Sequence, residues 1–437
     1  MLAVVLVLAS LSGSASAQVT HKFIDSFATG GISPQGVAMD AEGYLYAYAG
    51  SVRKYDQDGN PVDFSALETN VIDGIGNGDC PSTPADCDQV PQNGLFGTYG
   101  GMQAMAVDGR ASGPGAGYIY VFSFNTNPQP GKVEVFDPTG KFVGQIDNTI
   151  AFPERAVGHG VPTTVSVDQR GHVYLAYNGL IDQYKPTDPD PAKYQFVGQL
   201  RGEAIGALLV GGYPFSYGYE GPSIGQWRKF DAAAWFKQKG DSDWLDLSPA
   251  PGPFGSAGSS GNYMSASIDP VNQDVYLGSQ FAPVVQWDKD DNQIGVPFGP
   301  PHIGDPYSIA IDAETGHLFM PGSANGGMSI AEFSDEVIIP DVSYGPPDLD
   351  HTSFIVDGEV GLAGGPQVDE CRIEWGTDAG YGSSVPCDQP TPFASDTGVG
   401  ATIGGLTTET DYHYRIVAVN ANGTSPGEDR VARPPAV

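Results

Sequence analysis

Short runs of alternating apolar and polar residues recur along the chain, each ending at an aspartate, turning, and resuming as an apolar–aromatic run. The stretch Gly36–Tyr48, GVAMDAEGYLYAY, shows the pattern. Period-two alternation of this length predicts a strand, and the Asp- and Gly-containing turn between two such runs predicts a hairpin. The pattern returns from Ala104 (AMAVDGRASGPGAGYIYVF), Thr164 (TVSVDQRGHVYLAY), Ser265 (SASIDPVNQDVYLGS) and Ser308 (SIAIDAETGHLFMPG). The first strand of each hairpin ends at Asp40, Asp108, Asp168, Asp269 or Asp312. The second centres on Tyr46, Tyr120, Tyr174, Tyr276 or Phe319. The aspartates are expected to accept hydrogen bonds from turn N–H groups, a structural role.

A third strand follows and occurs six times: SVRKYD, KVEVFD, LIDQYK, GQWRKFD, VVQWDK and SIAEFS, ending at Asp56, Asp137, Lys185, Asp231, Lys289 and Ser334. The fourth of these belongs to a unit, AIGALLVGGYPFSYGYEGPSIGQWRKFD, that lacks the Asp turn. Fourth strands read as GKFVGQI (Gly140–Ile146) and YQFVGQL (Tyr194–Leu200). Four short strands repeated six times predict a β-propeller. One such sheet cannot cover both of its faces, so neighbours must stack around an axis. The last unit has no fourth strand of its own after Phe333. HKFIDSF (His21–Phe27) has the matching aromatic spacing and is expected to close the ring as its outer strand.

SPQGVAMDAEGYLYAY, followed by SVRKYDQDG, resembles the NHL-repeat family, whose unit runs through a Val-Ala-Val-Asp strand, a Gly turn and an aromatic strand. The resemblance covers residues 21 to about 338 and implies a six-bladed propeller, with little said about activity. From Pro340 the texture changes. PDVSYGPPDL reads as a linker, and GLTTETDYHYRIVAVNANGTSPG (Gly405–Gly427) resembles a fibronectin type III domain. That resemblance puts Tyr412 at the tyrosine corner, its hydroxyl capping the preceding turn. The expected architecture is all-β: a six-bladed β-propeller plus a C-terminal immunoglobulin-like (fibronectin type III) sandwich. The expected segments are a signal peptide (1–17), the propeller (18–338), a linker (339–348) and the fibronectin-like domain (349–437).

The opening MLAVVLVLASLSGSASAQ has an apolar run of signal-peptide length and a small-residue cleavage pattern before Gln18, although no Lys or Arg precedes the run. The chain is therefore expected to be secreted and soluble, extracellular or associated with a cell surface. The four cysteines fall in two local pairs, and an even count in an exported chain favours disulfides Cys80–Cys87 and Cys371–Cys387. Zinc is the alternative, but no histidine or third cysteine lies near either pair. A net charge of −32 makes nucleic acid an unsuitable partner.

The long connections between units, about 66–102, 148–162 and 240–263, are expected to gather on one face and carry binding. His159 and His302 precede the inner strands of the third and sixth units, which face each other across a six-fold ring. Some lyases similar to NHL propellers hold a metal with axial histidines. A site here would need a further ligand such as Glu154, because two histidines do not complete a zinc site. DQDGN (Asp56–Asn60) and DKDDNQ (Asp288–Gln293) read as hairpin turns rather than calcium loops. GPFGSAGSSG (Gly252–Gly261) reads as a flexible loop. The expectation is a monomeric, non-catalytic binding, adhesion or scaffold protein with no cofactor, presenting propeller loops to an extracellular protein, peptide or glycan. A metal-dependent lyase or hydrolase near His159 and His302, with zinc or calcium bound, is the alternative.

Overall fold

The computed structural model of the chain describes residues 18–30, 32–74, 105–123, 132–146, 164–177, 180–187, 190–201, 209–211, 215–219, 226–231, 244–246, 254–256, 263–279, 282–290, 292–299, 302–303, 308–322 and 328–436. No helix occurs among them. The chain divides into two compact units, one of residues 23–335 and one of residues 1–22 with 336–437.

The larger unit is a β-propeller. Sheet one has the order Gly36–Met39, Leu45–Tyr48, Val52–Tyr55, Val71–Ile72. Sheet two is Met105–Val107, Ile119–Ser123, Lys132–Phe136, Phe142–Ile146. Sheet three is Thr164–Val167, Val173–Tyr177, Leu180–Thr187, Asp190–Arg201, with Trp244–Asp246 added in parallel. Sheet four is Leu209–Gly211, Phe215–Tyr219, Gln226–Asp231, Phe254–Ser256, and sheet five is Tyr263–Ile268, Val275–Ser279, Ala282–Trp287, Gln293–Phe298. Sheet six is Ala310–Ile311, Leu318–Gly322 and Ser329–Ile339, with the N-terminal strand Gln18–Ala28 outermost, as the aromatic spacing of His21–Phe27 predicted. Each sheet's first strand neighbours that of the next sheet, and that of sheet six neighbours that of sheet one, so the inner strands form a closed cycle.

The hairpin register explains the repeated aspartate. Asp40 Oδ1 accepts the Glu42 and Tyr44 N–H groups, both at 2.9 Å. Asp168 Oδ1 accepts those of Arg170 (2.8 Å) and His172 (2.9 Å), and Asp269 Oδ1 accepts that of Val271 at 2.6 Å. Asp108 and Asp312 accept the N–H two residues on, from Arg110 and Glu314. The side chain thus satisfies donors that a tight turn would otherwise leave unpaired. Asp56 and Asp288 do the same where the third strand turns into the fourth.

Tyr46, Tyr120, Tyr174, Tyr276 and Phe319 are all buried. A buried phenol must find a polar partner. Tyr46 and Tyr174 donate to Asp40 and Asp168, at 2.8 and 2.9 Å, and Tyr194 donates to the Tyr120 hydroxyl of the neighbouring sheet at 3.1 Å. Burial pushes the Tyr46, Tyr120 and Tyr174 hydroxyls well above the usual phenol range, so they stay protonated. One continuous apolar core spans sheets one to three, a second spans sheets five and six, and Val37, Leu45, Phe319 and Ile330 form a third between sheets six and one. That last junction is where the ring closes. The buried Ser308 hydroxyl donates to the Val37 carbonyl (2.7 Å) and accepts the Val37 N–H (3.0 Å), and Gln57 Nε2 donates to Asp312 Oδ2 (2.9 Å).

Three expectations need correction. Gly252–Gly261 is not all loop, because Phe254–Ser256 pairs with Gln226–Asp231 as the outer strand of sheet four. The connection after sheet one starts later than Ala66, because Val71–Ile72 pairs with Val52–Arg53. Asp341–Tyr344, read as linker, pairs with Gly358–Gly361. Composition misled for Phe254–Ser256 and for Asp341–Tyr344 with its flanking prolines: Gly, Ser and Pro lower strand propensity, but the edge of a neighbouring strand supplies the hydrogen bonds that override it. Val71–Ile72 is only two residues long, too short for an alternation to show.

In the smaller unit, one sheet holds Asp341–Tyr344, Ser353–Gly361, Asp348–Asp350 and Thr397–Gly404. The other holds Ser383–Pro386, Val368–Gly376, Tyr412–Asn420, Gly423–Pro426 and Arg430–Ala432. Phe354, Ile373, Ile403, Tyr414 and Ile416 form the core, and a disulfide joins Cys371 to Cys387. The Tyr412 hydroxyl accepts the Thr407 N–H at 3.1 Å. On the outer face, the Glu374 carboxylate is clamped by Arg372 (3.0 and 2.9 Å) and Arg415 (2.9 and 2.7 Å). Burial alone would raise the Glu374 carboxyl, but hydrogen bonds from Arg415 and Arg372 outweigh it and hold the group below its usual range.

Two outcomes follow from this packing. Ser308→Ala strips a buried N–H and a carbonyl of their partner and should cost about 1–3 kcal/mol of propeller stability in chemical denaturation. A loss within about 0.5 kcal/mol would mean that other contacts seal the junction. Because the folded-state pKa of Glu374 is depressed, its stabilisation is present above the unfolded value of about 4.3 and is lost as pH falls through the folded value. Glu374→Gln should therefore destabilise the smaller unit at about pH 7 and have a smaller effect near pH 3. Equal effects at both pH values would contradict the assignment.

Candidate functional site

The inner strands enclose an axial cavity of about 480 Å³ in the propeller. Its described walls come from the ends of the first strands and the turns that follow them in sheets one, two, three, five and six. In each hairpin the residue just before the aspartate lines this space: Met39, Val107, Val167, Ile268 and Ile311. The residue one step earlier is always small: Ala38, Ala106, Ser166, Ser267 and Ala310. Small residues let the inner strands approach the axis, and the apolar ring below the turns gives the cavity its wall. Volume and lining fall within the range of sites that enclose a small ligand or an inserted side chain.

Polar groups gather at the turn end. Asp40, Arg110, Asp168, Gln169, Asp312 and Glu314 line it. The half contributed by sheets two and three is ion-paired. Arg110 binds the buried Asp108 carboxylate through Nε and Nη2 and reaches the Arg170 carbonyl with Nη1 at 3.1 Å. Arg170 Nη2 lies 3.1 Å and His172 Nδ1 3.4 Å from Asp168 Oδ2. Burial raises Asp108 above the usual carboxylate range despite Arg110. Asp168 is also pushed up by burial, but bonding to His172 and Arg170 prevails and holds it low. Gly171 faces the Arg110 guanidinium at φ +78°, where a Cβ would collide with it, so glycine is required there.

On the sheet six and sheet one side, Asp40, Asp312 and Glu314 make no ion pair among the described residues; the Asp40 and Asp312 carboxylates accept from turn N–H groups and neutral side chains. The Asp40, Asp168 and Asp312 carboxylates that line the cavity are therefore held by the hairpins that carry them.

This cavity opens toward the hairpin turns that follow the inner strands. The long connections expected to carry function enter the inner strands from their other end. His159, Glu154, Cys80 and Cys87 lie outside the described residues. His302 does not sit on the axis: its ring stacks on Phe23 of the outermost strand of sheet six, with centroids 3.7 Å apart and planes at 7°. His317 Nδ1 contacts Glu332 Oε1 at 2.8 Å, on the second and third strands of the same sheet. Among the described residues, no group of three or more His, Cys, Asp or Glu side chains could hold a metal ion. Sequence reasoning missed Arg110, which lies in the turn after Asp108, and missed the apolar ring. The ring's signal is present in the aligned hairpins as the constant apolar residue before each aspartate.

No protein-family model matches the chain, and no curated protein matches it. Among solved structures, the chain is similar to the sixth fibronectin type III domain of human fibronectin type III domain containing protein 3. Identity is 27% over 22% of this chain and 86% of that one, at a TM-score of 0.17. It is also similar to the β-propeller domain of Cps50 (Swd1) from Myceliophteria thermophila, with 8% identity, 72% and 99% coverage and a TM-score of 0.31. A chain of the mitotic checkpoint complex gives 10% identity, 76% and 98% coverage and a TM-score of 0.41. At these TM-scores the likenesses carry no weight of their own, and the β-propeller assignment rests on strand order, register and the closed cycle of inner strands.

Proposed function

We propose that the chain is a secreted, non-catalytic binding protein. In this reading a six-bladed propeller of NHL type takes part of an extracellular protein or peptide into its axial cavity, and the fibronectin-like unit serves as a spacer or second contact. The observation that supports it is the cavity itself: about 480 Å³, walled by an apolar ring and edged by polar turns in which Asp40, Asp168 and Asp312 are engaged in hairpin hydrogen bonds. Such a lining suits shape-selective binding better than proton transfer or nucleophilic attack, which need a group free to exchange a proton or a bond. A net charge of −32 disfavours nucleic acid as the partner. The role requires neither a cofactor nor self-association.

Peptides selected against the intact protein from a displayed library test the reading. Filling the cavity with Ala38→Phe should weaken the selected peptides by about tenfold or more, at some cost to the unfolding transition because Ala38 also packs against the core of sheets one to three. Ser267→Phe serves the same purpose where the first variant fails to fold. Peptides that bind both variants unchanged would place the interaction elsewhere on the chain. Metal content of the purified protein, beside His159→Ala/His302→Ala, should be well below one ion per chain. Stoichiometric zinc lost in the variant would revive the metal-dependent alternative.

A further inference from the structure

The two halves of the cavity mouth differ in charge. In sheets two and three each carboxylate has a guanidinium beside it: Asp108 has Arg110, and Asp168 has Arg170. In sheets six and one, Asp40, Asp312 and Glu314 have none within ion-pair distance among the described residues. Lys54 feels the charge of Asp40 and Glu42, but its ammonium lies 3.8 Å from the centre of the Tyr44 ring. Among the described residues four carboxylates and one guanidinium line the cavity, and that guanidinium is already bound to Asp108. The field at the mouth is therefore negative and concentrated on one side. Low-dielectric walls focus such a field rather than dissipating it.

The apolar ring lies one residue further into each strand than the aspartates. Met39, Val107, Val167, Ile268 and Ile311 thus sit deeper than the charges. A group that fits both levels has an apolar part entering first and a positive charge left at the turns. We infer that the axial cavity takes an apolar side chain of a peptide flanked by lysine or arginine, with the basic group lying against Asp40, Asp312 and Glu314. This deepens the reading of the cavity as the binding site and rests on it. An apolar residue flanked by glutamates would meet repulsion at the same place, so the charge asymmetry acts as a selectivity element as well as an attraction.

The test uses three capped pentapeptides, Gly-Lys-Leu-Lys-Gly, Gly-Gln-Leu-Gln-Gly and Gly-Glu-Leu-Glu-Gly, titrated into the full chain carrying labelled methionine methyl groups. Met39 lines the cavity and reports occupancy, its signal assigned with Met39→Leu. The lysine peptide should move the Met39 signal and bind about fivefold or more tighter than the glutamine peptide, with the glutamate peptide weakest. Glu314→Gln removes a charge without touching the turn, in which only the Glu314 backbone N–H takes part. It should narrow the lysine advantage, as should added salt. Equal affinity of the lysine and glutamine peptides with a moving Met39 signal would overturn the charge inference and leave the cavity reading standing. Binding of the lysine peptide without a Met39 response would mean adsorption to the acidic surface and would overturn it. A preference for the glutamate peptide would overturn it in favour of Arg110 as the recognising group. Binding by none of the three would also overturn it, and the response of library-selected peptides to Ala38→Phe would then decide whether the cavity reading falls as well.

Discussion

A four-stranded sheet rich in Tyr, Phe and Val on both faces has two surfaces to remove from water and no means of covering either by itself. This constraint governs the larger unit of the protein. Stacking covers both faces of every sheet only if the stack returns on itself, so the contact between the last sheet and the first matters as much as any within a sheet. Here that contact joins Val37 to both hydrogen-bonding functions of the Ser308 hydroxyl, and Gln57 to Asp312. The N-terminal strand Gln18–Ala28 completes the last sheet from the opposite end of the sequence. Long-range closure of this kind is slow to form, because its entropic cost comes before its contacts.

The same closure creates the cavity. Inner strands carrying Ala or Ser two residues before the aspartate can crowd toward the axis, but their edges cannot meet at a line, and the remaining space is walled by the next residue along. The site is thus a by-product of the repeat, and its character comes from where the repeat is broken. Arg110 and Arg170 follow their aspartates at the same offset and neutralise them. The equivalent position after Asp40 and Asp312 holds Glu42 and Glu314, which leaves that side negative.

The smaller unit solves the burial problem differently. Its two sheets face each other over one core that includes Phe354, Ile373 and Tyr414, with the Cys371–Cys387 bond tying a strand to the segment after its neighbour. Its outer face carries a ladder of charges centred on Glu374, between Arg372 and Arg415. Arg415 in turn stacks on Tyr381, whose hydroxyl bonds Asp429. Tyr381 sits at φ +58°, a conformation uncommon for a bulky residue. The stacking and the hydroxyl bond both depend on that backbone turn.

Much of this was legible in the residues alone. Asp40 and its equivalents announce their turns because an aspartate after an alternating run can reach its own following N–H groups, which is a local property. The buried aromatic of each second strand and the closing role of His21–Phe27 were readable because the side-chain period of a strand is local too. The strands at Phe254–Ser256 and Val71–Ile72 were not readable, the first because of its Gly and Ser and the second because two residues show no alternation; each is fixed by pairing with an earlier strand. Nor could the chain show that His302 would stack on Phe23, about 280 positions away, rather than point at the axis. The asymmetry of the cavity mouth also needed the fold: each charge is visible in the sequence, but which of them share a space is fixed only when the ring closes.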